Sequence, residues 1–566
     1  MNKYQAGSLT IAAVLLSAGY AGAQERSAQT SNSPAAERGQ AVDELVVVGT
    51  RRAGRTVTDS PVPVDVLSSQ DIETIATGDM NSLMRSLVPS FNVARFAGIN
   101  ADGSGFIRPP TLRGLAPDQT LVLINGKRRH RSALVNFSGG GALAAGSQAV
   151  DLAQIPTIAL ERIEVLRDGA SAQYGSDAIA GVINYTLRRE AKGFEIRSRY
   201  GQHYKGDGKN YQLQANVGLP LGDRGFVNVS GEFLDSGYTS RGGQRIGALA
   251  HSLARPDLAT ADPVQRVGDP KVRAYRMFFN GEVETSERSK LYFFGNYGRS
   301  NQAFQFNWRQ PYTVTGPAQS GVGTQVYPRT NVFDPIYLDR LPDGTYDANG
   351  RTFSFTEIYP RGFTPFFKGH IRDLSGVAGY KGELEGGLTY DLSASYGQNT
   401  LRYYMSESLN AAMGPDSPTE FYLGSLQERD TTFNADFTYP VEMGFASPLT
   451  VAFGAERRIE AYEIGAGDEA SYLFGPYAVQ RLNNGTTITK PPGTSGAPGF
   501  SPAFAIDKSR DSYAGYVDLE ADVLENLTLA AALRYEHFSD FGSTTNWKLS
   551  GRYEFSPAFA VRGGVS

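Results

Sequence analysis

The sequence predicts a mainly β protein, a transmembrane antiparallel β-barrel that follows a small N-terminal α/β domain. Three observations support this fold class. From about Gly193 onward, apolar and polar residues alternate along many segments, as expected for strands with one face toward lipid and the other toward a polar lumen. Short and long connections between these segments alternate along the chain. Before Gly193, strand patterns are mixed with helical spacing of apolar residues.

The composition agrees with a barrel and excludes several other classes of protein. The 566 residues contain no cysteine, which excludes a disulfide framework, thiol catalysis and cysteine-based zinc sites. A formal net charge of -4 gives no support for nucleic acid as a partner. Aromatic residues make up 11% of the chain, yet the mean hydropathy is only -0.31. Beyond the N-terminus, no apolar run reaches the roughly 20 residues that a transmembrane helix needs.

The N-terminal segment is predicted to direct export. Residues 1–23 have the features of a signal peptide: Lys3, an apolar core at 9–16 that is too short to span a bilayer, and small residues before a cleavage site. Residues 24–55 are predicted to be a flexible tether, because they are mostly polar and small. The tether contains a β-branched run at 43–50 (DELVVVGT), which is suited to add as a strand to the sheet edge of a partner.

Residues 56–189 are predicted to form the α/β domain. Residues 62–67 favour an edge strand, and Ser68 with an acid three residues later favours a helix start. Apolar residues at helical spacing predict a helix at 79–87, which we expect to face a core. A run of mostly apolar and β-branched residues at 120–127 predicts a strand that ends in an Asn-Gly turn.

The most informative stretch of this domain is 161–185, ERIEVLRDGASAQYGSDAIAGVINY. Its alternation, its Asp-Gly break and its second short apolar run predict a strand, a turn and a further strand. The stretch resembles the C-terminal signature of the plug domain of TonB-dependent outer-membrane receptors. It departs from many relatives at Asp168-Gly169-Ala170, where they have Gly-Pro-Ala, and both versions serve as turns. The segments TLRGL (111–115) and LVLINGKR (121–128) resemble other plug motifs.

This resemblance implies a set of functional residues. Residues 43–50 lie where the family carries its TonB box, which implies TonB as a partner, together with ExbB and ExbD of the inner membrane; the residues are Asp43, Glu44, Leu45, Val46, Val47, Val48 and Gly49. In the plug, the matching motif residues are Arg113, Gly114, Arg162, Glu164, Arg167, Gly175 and Gly181. We expect the four charged ones to hold the plug through weak, reversible ion pairs with the barrel wall, each exposed pair contributing about 0–1 kcal/mol.

Residues 190–566 are predicted to form the barrel. Alternation is clear in ten segments: 194–200, 211–217, 226–233, 291–297, 388–396, 432–439, 449–455, 512–519, 527–535 and 547–555. Long connections are predicted at about 235–271, 309–370 and 465–510, which fits extracellular loops on one rim and short periplasmic turns on the other. The pattern gives about thirteen strands, whereas plugged transporters have about 22. We therefore expect the barrel to be incomplete at the C-terminus, also because Ser566 is not the aromatic residue expected there.

Three features favour other functions only weakly. The basic cluster 127–131 (KRRHR) lacks the overall charge of a nucleic-acid surface, and a solvated turn or an anion contact in the lumen fits it better. The glycine-rich run at 139–144 lacks the βαβ unit of a dinucleotide site, so we expect a plug loop there. The five histidines are scattered, and their spacing does not indicate metal or haem ligation. We therefore expect no metal and no cofactor.

The resemblance implies active, proton-motive-force-coupled uptake of a scarce ligand at the bacterial outer membrane. Relatives carry ferric siderophores, haem, cobalamin, nickel complexes or oligosaccharides, and the sequence leaves the ligand open. Selectivity is expected in the plug loops 96–108 and 137–147 and in the long outer loops, whose aromatic residues also suit packing; examples are Tyr312, Tyr327, Phe355 and Tyr359. The alternative is a passive or signalling barrel without energised transport. An enzyme is not expected, because no nucleophile with its base and no carboxylate pair stands out.

Overall fold

The computed structural model describes residues 48–52, 55–75, 77–93, 105–136 and 145–566. Residues 55–187 contain a small α/β domain in the region where the plug is predicted. Its elements, in chain order, are β1 (Val64–Ser68), α1 (Ser69–Thr74), α2 (Met80–Leu87), β2 (Phe91–Val93), β3 (Pro110–Leu112), β4 (Thr120–Ile124), β5 (Lys127–Arg128), β6 (Leu160–Leu166), α3 (Ser171–Tyr174) and β7 (Gly181–Leu187).

The centre of this domain is a five-stranded sheet with the order β1-β6-β7-β4-β5. The stretch 161–185 supplies β6, α3 and the start of β7, so the predicted strand-turn-strand is confirmed. Helix α1 begins where Ser68 predicts, with Ser68 and Asp71 forming a capping box, and α2 lies within the predicted 79–87. The structure adds a cap to α2, because the Asp79 carboxylate accepts a hydrogen bond from the Ser82 amide. Gly181 has a φ of +145°, and a Cβ there would lie 2.2 Å from the Leu166 carbonyl oxygen.

In the rest of the chain, nearly all regular secondary structure is β-strand. Its elements are β8 (Phe194–Gly201), β9 (Asn210–Pro220), β10 (Gly225–Ser236), α4 (Ile246–Ala254), β11 (Lys271–Glu284), β12 (Ser289–Gln305), β13 (Val314–Pro317), β14 (Thr324–Tyr327), β15 (Ile336–Tyr337), β16 (Thr352–Phe353), β17 (Phe366–Glu383), β18 (Thr389–Ser406), β19 (Glu420–Val441), β20 (Leu449–Ala466), α5 (Glu469–Tyr472), β21 (Val479–Arg481), β22 (Thr487–Thr489), β23 (Ile506–Leu524), β24 (Leu527–Phe538), β25 (Gly542–Ser556) and β26 (Phe559–Val565).

Thirteen of these strands form one large antiparallel sheet of the barrel type. They follow one another in chain order from β8 to β26, and the short strands β13–β16, β21 and β22 lie in the connections. The predicted count of about thirteen strands is therefore confirmed. Side chains alternate between the two faces: on β11, Arg276 and Phe278 are buried, whereas Tyr275 and Met277 are exposed. The exposed face is apolar and the covered face is mostly polar, as expected for a lipid-facing barrel.

The connections differ between the two edges of the sheet. The long ones, at 237–270, 306–365 and 467–505, all lie at the same end of the strands. We call this side of the sheet the loop edge. The other edge, the turn edge, has connections of two to seven residues, such as 525–526 and 442–448. The predicted asymmetry is confirmed. None of the helices in the described part of the chain is long and apolar enough to cross a membrane.

The α/β domain packs against the inner face of the large sheet. Side chains of β11, β12 and β17 belong to the same buried cluster as the core of the small domain: Phe278, Tyr292, Phe294 and Val377 pack with residues such as Ile124, Leu152 and Ile155. At the loop edge, Phe106 of the small domain lies 4.8 Å from Phe304 and 5.0 Å from Phe367, measured between ring centroids. The small domain therefore contacts the sheet from the turn edge to the loop edge.

Candidate functional site

The chain enters the small domain through Val48–Arg52 and Arg55, which we call the entry arm. The entry arm is bound to both the small domain and the large sheet. The Val48 side chain is buried beside Val62, Val64 and Leu166. Its backbone amide donates to Glu164 Oε2 over 3.2 Å, and the Gly49 amide donates to the Tyr174 hydroxyl over 3.1 Å. Of the predicted TonB box, Val48 and Gly49 are thus held by the small domain, and Asp43, Glu44, Leu45, Val46 and Val47 lie outside the described residues.

The same arm is bound to the large sheet by a row of acids on β23. Arg51 pairs with Asp518 over 3.1 Å, and Arg55 pairs with Glu520 over 2.9 Å and with Asp522 over 2.7 Å. Arg52 also pairs with Asp522. The acids lie at every second position because alternate residues of a strand point to one face. Since β23 ends at Leu524, this contact places the arm at the turn edge.

A second contact centres on Asp373 of β17, which is 1% exposed. Its carboxylate accepts hydrogen bonds from Arg129 Nη2 over 2.6 Å and from His130 Nε2 over 3.0 Å. Two residues of the sheet donate to it as well, Asn296 over 2.7 Å and Asn399 over 2.9 Å. Four donors on one buried carboxylate make this a strong anchor, because a buried charge is stable only when it is paired and hydrogen-bonded.

A third contact surrounds Asp177. This carboxylate pairs with Arg128 of the small domain and, over 3.5 Å, with Arg458 of β20. Burial alone would raise the pKa of Asp177, but the guanidinium groups of Arg128 and Arg458 outweigh it and hold the pKa well below 3.8. Arg131 contacts Glu460 of the same strand. The basic cluster 127–131 is therefore neither a solvated turn nor a nucleic-acid surface, since all its members except Arg128 pair with acids of the large sheet.

The charged residues chosen from the sequence lie elsewhere. Arg162 pairs with Glu164 over 2.8 Å, and Arg167 pairs with Asp65 over 2.8 Å, so these ion pairs lie within the small domain and not at the barrel wall. Arg113 is exposed at a φ of +56°. The wall contacts that we expected from these residues are made instead by the entry arm and the cluster 127–131. These wall contacts are also more buried than expected: Arg129 and Asp373 each expose only 2% of the side chain.

The predicted glycines have local roles. Gly181 allows β7 to approach the end of β6, as described above. Gly175 has a φ of +102°, and a Cβ there would lie 3.0 Å from Arg128 Nη2 and 3.1 Å from Glu536 Oε1. Gly114 has a φ of +74°, and a Cβ there would meet no atom within 4 Å. Gly175 thus lets the chain pass between the charges that join the two domains.

The acids of the large sheet are the functional residues that sequence analysis missed. A signal was present: charged residues two positions apart within strands, as in Glu456, Arg458 and Glu460 or in Asp518, Glu520 and Asp522. This spacing places them on one face, and the apolar alternate positions assign that face to the interior. The described residues contain no group of three or more His, Asp or Glu residues that could hold a metal ion.

The predicted selectivity loops are only partly described, because 94–104 and 137–144 lie outside the described residues. In the outer loops, Phe355 is fully buried and Tyr359 packs against the same cluster, which also contains Phe333, Ile336 and Leu409. These two aromatic side chains therefore pack within the loops, as the alternative interpretation predicts. The loops at 306–365 and 467–505 are also joined to each other: Gln480 donates to the Tyr337 carbonyl over 2.6 Å, and Lys490 Nζ donates to the Asn331 carbonyl over 3.1 Å.

Comparison with known proteins agrees with this arrangement. Residues 56–182 match the family model described as TonB-dependent Receptor Plug Domain. Residues 319–566 match the model described as TonB dependent receptor-like, beta-barrel. The chain belongs to the TonB-dependent receptors. The resemblance drawn from 161–185 and from the two other plug motifs is thereby confirmed, and the small domain is the plug.

Individual relatives are more distant. The chain is 30% identical over 207 residues to the Iron-regulated outer membrane virulence protein of Vibrio cholerae, a match that covers 36% of this chain and 29% of that protein. Among solved structures, the ferric enterobactin receptor PfeA of Pseudomonas aeruginosa has a TM-score of 0.55 at 16% identity, over 87% of this chain and 60% of that one. The siderophore receptor PirA of Acinetobacter baumannii has a TM-score of 0.52 at 16% identity, over 87% and 59%. The chain thus spans less than a third of the curated relative and about three fifths of the solved receptors that it matches.

Proposed function

We propose that this receptor takes up a scarce ligand across the bacterial outer membrane, driven by TonB with ExbB and ExbD. The observation that carries the proposal is the position of the entry arm. The arm leaves the plug at the turn edge, and residues 43–47, the part of the predicted TonB box that the small domain does not hold, directly precede it in the chain. With the long loops outside the cell and the short turns in the periplasm, the box reaches the compartment in which TonB would bind it.

The distribution of surface residues supports this orientation. On β19 the exposed large apolar side chains, Phe433 and Tyr439, lie in the half nearer the turn edge, and exposed Leu519 lies in the same half of β23. Toward the loop edge, the outward-facing residues include ion pairs, such as Arg429 with Asp507. Charges on the outer face are unfavourable at the bilayer centre, so on these two strands the half nearer the turn edge is the part suited to the membrane.

The proposed ligand class is a ferric siderophore or a similar iron complex, with an oligosaccharide as the second candidate. Support for iron comes from the relatives: one is named iron-regulated, and the two solved receptors are named for siderophores or ferric enterobactin. The signal peptide at 1–23 and the domain limits remain part of this proposal. We propose receptor function without catalysis, in line with the relatives, which are named as receptors or as an outer-membrane protein.

The proposal is tested by breaking the strand that TonB would bind. Val46→Pro in the full-length protein removes a backbone donor and fixes φ, whereas Val46→Thr keeps the β-branched strand residue and serves as control. Growth is measured on defined ferric complexes under iron limitation and on defined glycans under carbon limitation. We expect growth to be lost with Val46→Pro and retained with Val46→Thr, while both variants still bind the ligand at the cell surface. Growth of the Val46→Pro strain equal to the parent would favour the passive barrel.

A further inference from the structure

The outward face of the large sheet carries a group of cations on three neighbouring strands, β12, β17 and β18, in the half nearer the loop edge. We call it the outer basic patch, and its members are Arg299, Lys368, His370, Arg372 and Arg402. On β17 these side chains point away from the plug, because the alternate residues Ile371 and Asp373 are buried on the inner face. The patch extends about 13 Å along β17 and about 10 Å across the three strands.

The strand register sets like charges against each other in this patch. Arg299 of β12 lies directly opposite Arg372 of β17, and both side chains are exposed. Directly opposed side chains have Cβ atoms roughly 5 Å apart, where like charges are destabilising. The exposed Arg402 of β18 lies opposite His370, in the next row toward the loop edge. A bound anion would relieve the repulsion within this group.

The protein does not supply that anion. In the part of the chain that the structure describes, no carboxylate lies within ion-pair distance of the four lysine and arginine side chains of the patch. The contacts of the patch are with aromatic rings instead. The Arg372 guanidinium lies 5.9 Å from the centre of the Tyr297 ring, and the His370 and Tyr404 rings lie 4.6 Å apart. The patch therefore has cations available for an external ligand.

Other outward-facing cations in the loop half of the sheet are neutralised. Arg273 of β11, which lies two strands from His370, pairs with Asp235 of β10. On the far side of the sheet, Arg457 of β20 pairs with Asp511 of β23 over 3.1 Å. Unpaired cations are therefore not a general property of this face, and the outer basic patch differs from its surroundings.

The neighbours of the patch toward the turn edge are apolar. The exposed side chains there on the same three strands are Leu291, Tyr297, Tyr380, Leu392 and Tyr396. Such side chains suit contact with acyl chains, and Arg299 follows Tyr297 by two positions on the same face of β12. A lipid that lies along this surface would bring its head group to the level of the cations. Arginine side chains bind phosphate with two parallel hydrogen bonds, so a phosphorylated head group fits them best.

We propose that the outer basic patch binds the phosphorylated head group of a membrane lipid whose acyl chains lie along the apolar side chains next to it. With the loop edge outside the cell, this lipid belongs to the outer leaflet, and that placement rests on the orientation given under the proposed function. The site lies on the outside of the sheet and needs neither TonB nor the transported ligand.

The test measures lipid binding to the purified full-length protein in an uncharged detergent. The probe is a fluorescently labelled diphosphorylated glucosamine lipid (lipid A), and its anisotropy reports binding. The competitors are the unlabelled lipid, its dephosphorylated form with the same acyl chains, and inorganic phosphate. Arg299→Gln, Arg372→Gln, Arg402→Gln removes three cations of the patch, and Arg372→Gln alone is used if the triple variant fails to fold. Heat-modifiable migration on a gel reports folding.

The matched control is the triple variant Arg273→Gln, Arg429→Gln, Arg457→Gln, which removes the same charge from paired positions of the outer face. Each cation near a phosphorylated surface contributes a factor of about five, so we expect the triple patch variant to bind roughly a hundredfold more weakly and Arg372→Gln about fivefold. The control should bind within about threefold of the parent, and the dephosphorylated lipid should compete at least about tenfold more weakly than the phosphorylated one.

Two results would overturn the inference. One is binding by a folded patch variant that equals that of the parent, or equal competition by the dephosphorylated lipid. The other is displacement of the probe by inorganic phosphate as effectively, mole for mole, as by the unlabelled lipid, since the patch would then be a site for a free anion. Uptake plays no part in this measurement, so its result and that of the Val46→Pro test are independent.

Discussion

Asp373→Asn tests whether buried ion pairs hold the plug. The substitution removes the charge that faces Arg129 and His130, and the Arg129 guanidinium then stays buried without its carboxylate. Removing one partner of a buried pair costs about 3–5 kcal/mol. Asn296 Oδ1 still accepts from Arg129 over 2.8 Å, so we take the lower end, about 3 kcal/mol.

The assay follows release of the plug in urea. Ser132→Cys introduces a thiol at a plug residue that is 1% exposed, and its labelling by a maleimide reports separation of the plug from the wall. With an m-value of about 2 kcal/mol per molar urea, a loss of about 3 kcal/mol lowers the midpoint of labelling by about 1.5 M. Heat-modifiable migration on a gel confirms at each urea concentration that the barrel itself stays folded.

The matched control is Asp235→Asn, which removes the same charge from an exposed pair with Arg273. Exposed pairs contribute little to stability, so we expect no resolvable shift there. The reasoning is refuted if Asp373→Asn moves the midpoint no further than Asp235→Asn does, because the plug would then be held by its apolar contacts alone.

Three further predictions follow from other contacts. Arg55→Gln should speed hydrogen exchange of the amides at 48–52 about tenfold or more by mass spectrometry, since it breaks charge-assisted bonds to Glu520 and Asp522, whereas the exposed Arg85→Gln should not. Gly181→Ala should lower the urea midpoint of plug release well beyond the effect of Gly114→Ala. Both residues have a positive φ, but only a Cβ at position 181 would meet the Leu166 carbonyl. Equal effects of the two substitutions would exclude this close approach. Burial lowers the pKa of Lys490 from 10.5 to about 8. Between pH 8 and 10.5 the unfolded loop therefore binds more protons than the folded loop, and the stability of the folded loop rises with pH. Resistance of 467–505 to proteolysis should rise over that range, and Lys490→Gln should remove the rise.

Much of the architecture could be predicted from local patterns. Strand alternation indicated about thirteen strands, Ser68 with the acid three residues later located the start of α1, and the spacing of apolar residues located α2. The predicted strands were nonetheless too short: 432–439 is part of β19, which runs from Glu420 to Val441, and 512–519 is part of β23, which runs from Ile506 to Leu524. The reason is physical. Apolar alternation marks only the lipid-facing band, and beyond it the outward positions carry charges such as Arg429 and Asp507, so the alternation is lost although the strand continues.

The site was harder to predict because its contacts join residues far apart in the chain. Arg129 and Asp373 are 244 positions apart, and Arg55 and Asp522 are 467 apart. Motif resemblance led instead to Arg162 and Arg167, which pair locally within the plug. The cluster 127–131 and the paired acids of the strands were visible, but no single-sequence pattern shows which cation meets which acid.

The contacts between the long loops at 306–365 and 467–505 limit which substitutions this receptor can accept. Val332, Phe333 and Phe355 of one loop share a buried core with Leu409 and Tyr477 from two others, and Lys490 caps carbonyls of the first. A substitution or insertion in one loop must therefore be accommodated by its neighbour. These loops should therefore be exchangeable between receptors only as a set, and residues at 331–363 and 477–490 should vary in concert among close homologues.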